Sequence, residues 1–351
     1  MALDTEADSM YSYFHRVCLV QVTAGGRHFV IDPLAMPACD LAPLWEVAGA
    51  ERIRTLMHGA DYDLRVLDRD YGAAVRGLED TQVMAQLLGE SRTGLAVLLE
   101  AALGVRLDKR FQRADWGERP ISPEMLRYAA ADTAFVGSLA ATLRQRLEDL
   151  GRWSWAEEEF RRLEQVRHTP VVPDALDFER TKGARALRGA ERDRLFTLHR
   201  WREERARERD LPPFRILGPR QMVLLAAQPP RDLGEMARVE GLGPRFVRRW
   251  GRPVLHCLEH PEPAPPFQRR ERGPEMAPAV RARLAVVLKT RDEVAHELAI
   301  EPGLLCPKAL AEAIAASPEC SSESLAAQGL AGWRLQVLAA PLASRLRGHG
   351  A

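Results

Sequence analysis

Two proline-broken stretches decide how this 351-residue chain can fold, because neither can continue a helix or a packed strand. The first, around His168-Thr169-Pro170 and Val172-Pro173-Asp174, ends a charged helical run, AEEEFRRLEQV. The second, HPEPAPPFQRRERGPEMAP, is dense in both proline and charge. Together they predict three units, over residues 1–168, 187–262 and 280–351, with linkers at 169–186 and 263–279.

Charge distinguishes these units. The whole chain carries 50 Lys or Arg and 49 Asp or Glu, a net charge of +1 that argues against a nucleic-acid partner. Divided by region, residues 1–150 hold 16 basic and 22 acidic side chains, and residues 151–351 hold 34 and 27. Within the second part, residues 187–253 alone carry 16 basic against 9 acidic. Solvated helix faces would produce such asymmetry, and so would an acidic catalytic unit tethered to a nucleic-acid-binding one. Hydrophobic residues at 46% and charged residues at 28% exclude wholesale disorder and a membrane bundle. The N-terminus has no basic segment followed by an apolar run, which predicts neither secretion nor a membrane span. Five scattered cysteines without a C-x-x-C pair predict no disulfide framework and no zinc knuckle, and a reducing cytoplasm fits them.

In the first unit, Val17 to Thr23 and His28 to Asp32 read as strands joined by Ala24-Gly25-Gly26-Arg27, an antiparallel hairpin. A third apolar stretch, Ile53 to Met57, precedes His58-Gly59-Ala60. Helical periodicity then covers Tyr62 to Tyr71, Thr81 to Leu88, Leu95 to Leu103 and Glu124 to Leu150. Strands followed by interleaved helices predict an α/β or α+β sheet domain. The second and third units are helical and resemble one another. At an offset of 89, Trp201-Arg202 falls on Thr290-Arg291, Ala206 on Ala295, Glu208 on Glu297, Pro213 on Pro302 and Pro229 on Pro318, and beyond that point a short indel is needed.

The chemistry lies in four carboxylates. Asp4 and Glu6, two apart in a strand, point to one face. Asp63 closes HGADYD at a strand-to-helix junction, and Asp132 lies four residues after Tyr128, on the same helix face. Hard oxygen ligands with no His or Cys cluster beside them suit Mg²⁺ or Mn²⁺ rather than zinc. Each piece alone has an ordinary explanation: D-x-E arises by chance, and Asp63 could cap the helix that follows it.

Together with their flanking text, these residues resemble the ribonuclease D family of DEDD 3′–5′ exonucleases, tyrosine subtype. The stretches that carry the likeness are LDTEADSMYSYFHRVCLVQV, MHGADYDLRVLDRDYG and GLAVLLEAALGVRLDKRFQRADWGERPISPEMLRYAAADT. LFTLHRWREERARERDLPPFRILG and LGEMARVEGLGPRFVRRWG resemble the helicase and ribonuclease D C-terminal (HRDC) domain. The resemblance implies an α/β, ribonuclease H-like exonuclease domain with a mixed sheet, followed by two all-α HRDC-like domains, the second degenerate. It also implies that Asp4, Glu6, Asp63 and Asp132 bind two divalent ions, Mg²⁺ or Mn²⁺, roughly 3.5 to 4 Å apart, with Tyr128 orienting the attacking water. Asp4 is expected to bridge the ions, Glu6 and Asp132 to hold the one beside the water, and Asp63 the other. Asp63 rather than Asp61 is assigned because the family places its carboxylate after the aromatic position. Family members carry a segment before the first motif, whereas only Met1, Ala2 and Leu3 precede Asp4 here, which predicts a misassigned start or a truncated chain.

For Lys109, Arg110, Gln112 and Arg113, RNA contact and plain solvation are both open, and Trp116 is expected to pack the loop. Arg202, Arg205, Arg245, Arg248 and Arg249 are the expected RNA contacts of the basic module, where Gly241 to Arg245 forms a turn at a helix N-terminus suited to phosphate. The expected function is exonucleolytic removal of 5′-mononucleotides from RNA 3′ ends, in 3′ maturation of transfer RNA precursors, by a cytoplasmic monomer. Two alternatives compete with it: a 3′–5′ exonuclease acting on single-stranded DNA or RNA generally, and a nonenzymatic RNA-binding scaffold with a crippled nuclease domain.

Overall fold

A computed structural model describes residues 1–170, 172, 174–266 and 276–347. In chain order the first elements are β1 (Ala2–Ala7), β2 (Val17–Ala24), β3 (Arg27–Ile31), α1 (Ala42–Ala48), β4 (Thr55–Met57), α2 (Asp61–Tyr71), β5 (Leu78–Asp80) and α3 (Thr81–Leu87). They are followed by α4 (Leu95–Leu103), α5 (Pro123–Ala134), α6 (Val136–Asp149) and α7 (Trp153–Leu163). The five strands form one mixed sheet in the order β3-β2-β1-β4-β5, with β2 and β3 antiparallel and β1, β4 and β5 parallel. The hairpin turns through Gly25 and Gly26, both at positive φ, with Ala24 paired to Arg27; a two-residue turn of this hand requires left-handed backbone at both central positions.

Strand alternation divides the buried side chains between two cores. Leu3 and Met57 enter a cluster with Val20, Leu64, Leu67 and Leu78, whereas Ala2 and Leu56 enter another with Leu98, Leu99, Leu139 and Leu143. The sheet is therefore covered on both faces, as short parallel strands alternating with helices require. The single helix expected over Glu124 to Leu150 is instead two, α5 and α6, broken at Phe135. The two segments have different partners: α5 packs on β2 and β3, and α6 on α3, α4 and β4, so the chain must change direction between them. β5 went unforeseen because three residues are too few to establish a period.

The next helices are α8 (Ala190–Arg209), α9 (Pro213–Ile216), α10 (Pro219–Ala227), α11 (Leu233–Met236) and α12 (Pro244–Glu259). The last are α13 (Pro278–Glu297), α14 (Pro302–Leu305), α15 (Lys308–Ala316), α16 (Ser322–Ala327) and α17 (Gly332–Arg347). The two sets are one five-helix motif written twice. Arg194 Nε donates to the carbonyl of Ala226, and Arg283 Nε to that of Ala315, both residues displaced by 89. Asp232 caps α11 and Ser321 caps α16 at the same displacement. After this point the displacement is 88: Gly241 and Gly329 both have positive φ, Leu242 and Leu330 are both buried, and α12 and α17 contain Pro253 and Pro341. The expected indel is thus one residue, between the capped short helix and the glycine turn.

By contacts the described chain divides into two compact units. One comprises residues 1–6, 17–168 and 276–347, and the other residues 7–16 and 169–266. Part of the segment expected to be a linker, 169–186, is packed instead: Phe178 is buried at an edge-to-face distance of 5.3 Å from Phe196, and Arg192 covers its ring. Pro170 marks the break, but Leu176 and Phe178 supply an apolar side that α8 covers. Within the second unit, the Phe14 amide donates to Asp210 and Arg215 lies over the Tyr11 ring. Residues 267–275 of the second expected linker lie outside the described residues. Among the described residues no helix is long and apolar enough to cross a membrane.

Candidate metal centre

The parallel register decides where the site forms. Ala2 pairs with Leu56 and Met57 with Asp80, so Asp4 and Glu6 run past the last residue of β4, at the end of the sheet where α2 and α3 begin. Carboxyl ends of parallel strands are where an α/β sheet opens to a ligand, because the chain leaves the sheet there and helix N-termini arrive. Asp63 stands in the first turn of α2 and is 7% exposed. Its neighbour Asp61 faces solvent, clasped by Arg65 at 2.8 and 2.9 Å. The choice of Asp63 in this motif thus accords with burial. Tyr128 and Asp132 come from α5, whose N-terminus is fixed by Ser122 capping the Met125 amide at 3.2 Å and by Pro123 in its first turn.

Electrostatics bind the four carboxylates into one cluster. Burial pushes Glu6 up to about 9, with Asp4, Asp132 and Asp63 adding repulsion. Burial, then Asp4, raises Asp132 to about 8, and burial raises Asp4 itself to about 6. Asp63 is raised well above the carboxylate range by burial and by Asp4, against the opposing effect of the Thr5 hydroxyl, which donates to Asp63 Oδ1. Asp4 is the carboxylate whose charge acts on all three others and on Tyr128. The Tyr128 ring lies 5.9 Å from both Phe111 and the buried Trp116, and burial followed by the nearby carboxylates raises its phenol. Among the described residues no three His, Cys, Asp or Glu side chains have closed to the spacing of a formed metal site. The donor set nonetheless fits divalent cations of the Mg²⁺ or Mn²⁺ kind: all its members are hard oxygens, and their burial next to one another is costly until a positive charge offsets it.

That cost sets a pH dependence. Folded, the cluster keeps protons that the unfolded chain releases near the ordinary carboxylate values, so stability falls as pH rises from about 4.5 toward 9. In EDTA the unfolding midpoint is expected to drop between pH 6 and pH 9, and less so for Glu6→Gln. Identical profiles for the two proteins would refute the coupling.

Two residues overlooked in the sequence hold this geometry. Asp80, 1% exposed, accepts from the Gly59 and Ala60 amides at 3.0 and 2.7 Å and caps α3 through Gln82 and Val83. Thr81 Oγ1 donates to the Met57 carbonyl at 3.1 Å and lies 2.8 Å from His58 Nδ1. The pair clamps the turn between β4 and α2 that presents Asp63. Its signal was Asp-Thr immediately ahead of a helical period, an N-cap signature.

The expected RNA-contact residues are placed unevenly. Lys109, Arg110, Gln112, Arg113, Arg245, Arg248 and Arg249 are exposed, with Arg110 bonded to Asp108 at 2.7 Å. Arg205 is partly exposed and paired with Glu208 at 2.7 Å. Arg202 is a correction: it is 9% exposed and paired with Glu203, because α8 is charged nearly all round and its packing, not its composition, chose the inward face.

Buried carboxylates gathered at the carboxyl ends of parallel strands, followed along the chain by a basic helical motif, are an arrangement suited to a metal-dependent hydrolase. A family model described as 3′–5′ exonuclease matches residues 1–148, and one described as HRDC domain matches residues 191–258. The chain is 30% identical to ribonuclease D of Granulibacter bethesdensis over 349 residues, covering 96% of this chain and 85% of that one. It is 33% identical to ribonuclease D of Xanthomonas oryzae pv. oryzae over 318 residues, covering 88% and 84%. The crystal structure of Escherichia coli RNase D, an exoribonuclease involved in structured RNA processing, matches with a TM-score of 0.64 at 27% identity over 100% of this chain and 93% of that one. The catalytic core of RRP6 from Trypanosoma brucei matches with a TM-score of 0.65 at 26% identity, over 74% and 72%. The chain belongs to the ribonuclease D family and is a 3′–5′ exoribonuclease.

Proposed function

We infer that the enzyme trims the 3′ ends of structured RNAs, transfer RNA precursors with 3′ extensions among them, releasing 5′-mononucleotides one at a time. The observation that carries this reading is the convergence of Asp4, Glu6, Asp63 and Asp132, from three separate segments, into one electrostatically coupled cluster beside Tyr128. Two divalent cations bound there would neutralise charge on the attacked phosphodiester and acidify a water. Asp4, whose charge reaches every other member, would be one of the ligands that hold them. Asp132 and Glu6, the carboxylates that act most strongly on the Tyr128 phenol, would help hold a cation that acidifies the attacking water, and Asp63, tied to Thr5, would complete the ligand set. Tyr128 Oη keeps its proton at neutral pH, because burial raises an already weak acid. It therefore orients the water by a hydrogen bond and does not serve as the base.

In this reading an exonuclease domain over residues 1–168 is followed by an HRDC domain over 187–262 and a second copy over 280–351, in a cytoplasmic monomer. The exposure of Arg245, Arg248 and Arg249 around the α12 N-terminus favours phosphate contact there. The reading is tested with purified protein, a 3′-extended transfer RNA and a matched DNA oligomer, in Mg²⁺ and in EDTA. Degradation of the RNA in Mg²⁺, none in EDTA and markedly slower attack on DNA are expected. Equal or faster DNA degradation would assign the enzyme to DNA, and activity that persists in EDTA would remove the cations.

A further inference from the structure

The internal duplication makes each copy a control for the other, and they differ most at one face. In the first copy, the Gly241 turn leads into Gly243, Pro244 and Arg245, all exposed, and no side chain caps the α12 N-terminus. At the equivalent positions of the second copy stand Ala331, Gly332 and Trp333. There the helix end is filled. The Trp333 amide donates to Glu158 at 2.9 Å, its indole Nε1 donates to Glu159 at 2.7 Å, and Arg334 grips both oxygens of Glu159. The Trp333 indole stacks on Trp155 with centroids 4.7 Å apart and planes within 13°. α17 approaches α7 so closely that a Cβ on Gly332, at positive φ, would overlap the Glu158 carboxylate. Arg152, from the exonuclease side, donates to the carbonyls of Leu87 and Leu298 at 2.8 Å each, bridging α3 and the end of α13.

The cores differ accordingly. Buried side chains of the first copy form a cluster with their own neighbours, Phe178 to Leu258. Those of the second share one cluster with the exonuclease sheet and helices, from Ala2 and Leu139 through Phe160 to Trp333 and Leu346. The charges differ as well: residues 190–259 carry 15 basic and 10 acidic side chains, and residues 278–347 carry 8 and 7.

We propose that the C-terminal copy is a brace of the exonuclease domain: the anion-accepting helix end that the first copy leaves open is occupied in the second by Glu158 of α7, with Glu159 clasped by the Trp333 indole and the Arg334 guanidinium beside it, so this copy supports the catalytic fold and contributes nothing to RNA affinity. The same ancestral face thus serves two ends, one facing outward to a polyanion and one turned onto carboxylates of its own chain. At the Arg245 position stands Trp333, whose indole is buried against Trp155 and donates to Glu159.

The test uses the full chain. Trp333→Ala and Glu159→Gln are expected to lower the unfolding midpoint by roughly 5–10 °C, while affinity for a 3′-tailed RNA, measured in EDTA so that no turnover intervenes, stays within about twofold of the parent. An unchanged midpoint in both variants would overturn the brace. A second protein carrying Lys289→Glu and Lys308→Glu, both highly exposed, reverses charge on this copy without touching the joint. It should bind RNA like the parent, and weakening by about fivefold or more would overturn the proposal. Because affinity is read without catalysis, failure of the metal assignment would leave this result intact and distinguishable.

Discussion

Asp4→Asn is expected to lose at least about a thousandfold in RNA degradation and, in the same preparation, to gain thermal stability in EDTA at pH 8. The activity loss follows from removing a carboxylate of the proposed metal site, where charge stabilisation of several kcal/mol, roughly tenfold in rate per 1.4 kcal/mol, is at stake. The stability gain has the opposite sign because Asp4 repels Glu6, Asp63 and Asp132, and an isosteric amide removes that repulsion without opening a cavity. Saturating Mn²⁺ should stabilise the parent more than the variant, since ligand binding to the folded state alone adds stability by mass action. Thermal scans with and without metal, alongside an oligonucleotide degradation assay, decide the matter. Activity within tenfold of the parent, or a variant less stable in EDTA, would contradict the assigned role.

Asp80→Ala should be the most damaging single change outside the carboxylate cluster. It strands the buried Gly59 and Ala60 amides and removes the cap of α3, for about 3–4 kcal/mol in all. For a folding unit of this size the unfolding midpoint should fall by roughly 8–12 °C. Asp80→Asn is the informative partner. Asp80 Oδ1 accepts from Gly59, Gln82 and Val83, and Oδ2 accepts from Ala60. An asparagine can keep the first three but turns an N–H toward the fourth. It should therefore fold with an intermediate midpoint, and at temperatures where it is fully folded its kcat should fall while KM for RNA holds, because the turn before Asp63 loses its anchor. Parent-like kcat in folded Asp80→Asn would reduce Asp80 to a stability role.

The sequence spacing of Tyr128 with Asp132 and of Asp4 with Glu6 already places each pair on one face of a helix or strand, but the reading of them as a site came from their flanking text, not from that spacing. The hairpin was legible, since Gly25-Gly26 between β-branched runs admits few alternatives. Asp63 against Asp61 was a finer matter. Both lie in the first turn of α2, and only the packing of that helix on the sheet decides which is buried and which meets Arg65. Arg202 was misread on the same account. A helix charged on every side gives no hint of its inward face, and Arg202 lies inside while Arg205, three residues on, remains partly out.

The sequence by itself determined the local alphabet of this protein: the β2–β3 hairpin, the amphipathic helices and a helical motif written twice. These follow from backbone preference and side-chain spacing, which act over a few residues. Only the tertiary structure decided that Asp4, Asp63 and Asp132, from three segments, are buried within electrostatic reach of one another, that Asp80 clamps the turn before Asp63, that Phe178 is core and not linker, and that the second motif closes onto α7 through Trp333 while the first stands open. Each of those depends on contacts between residues tens to hundreds apart, where many pairings satisfy the local pattern and burial of the whole selects one.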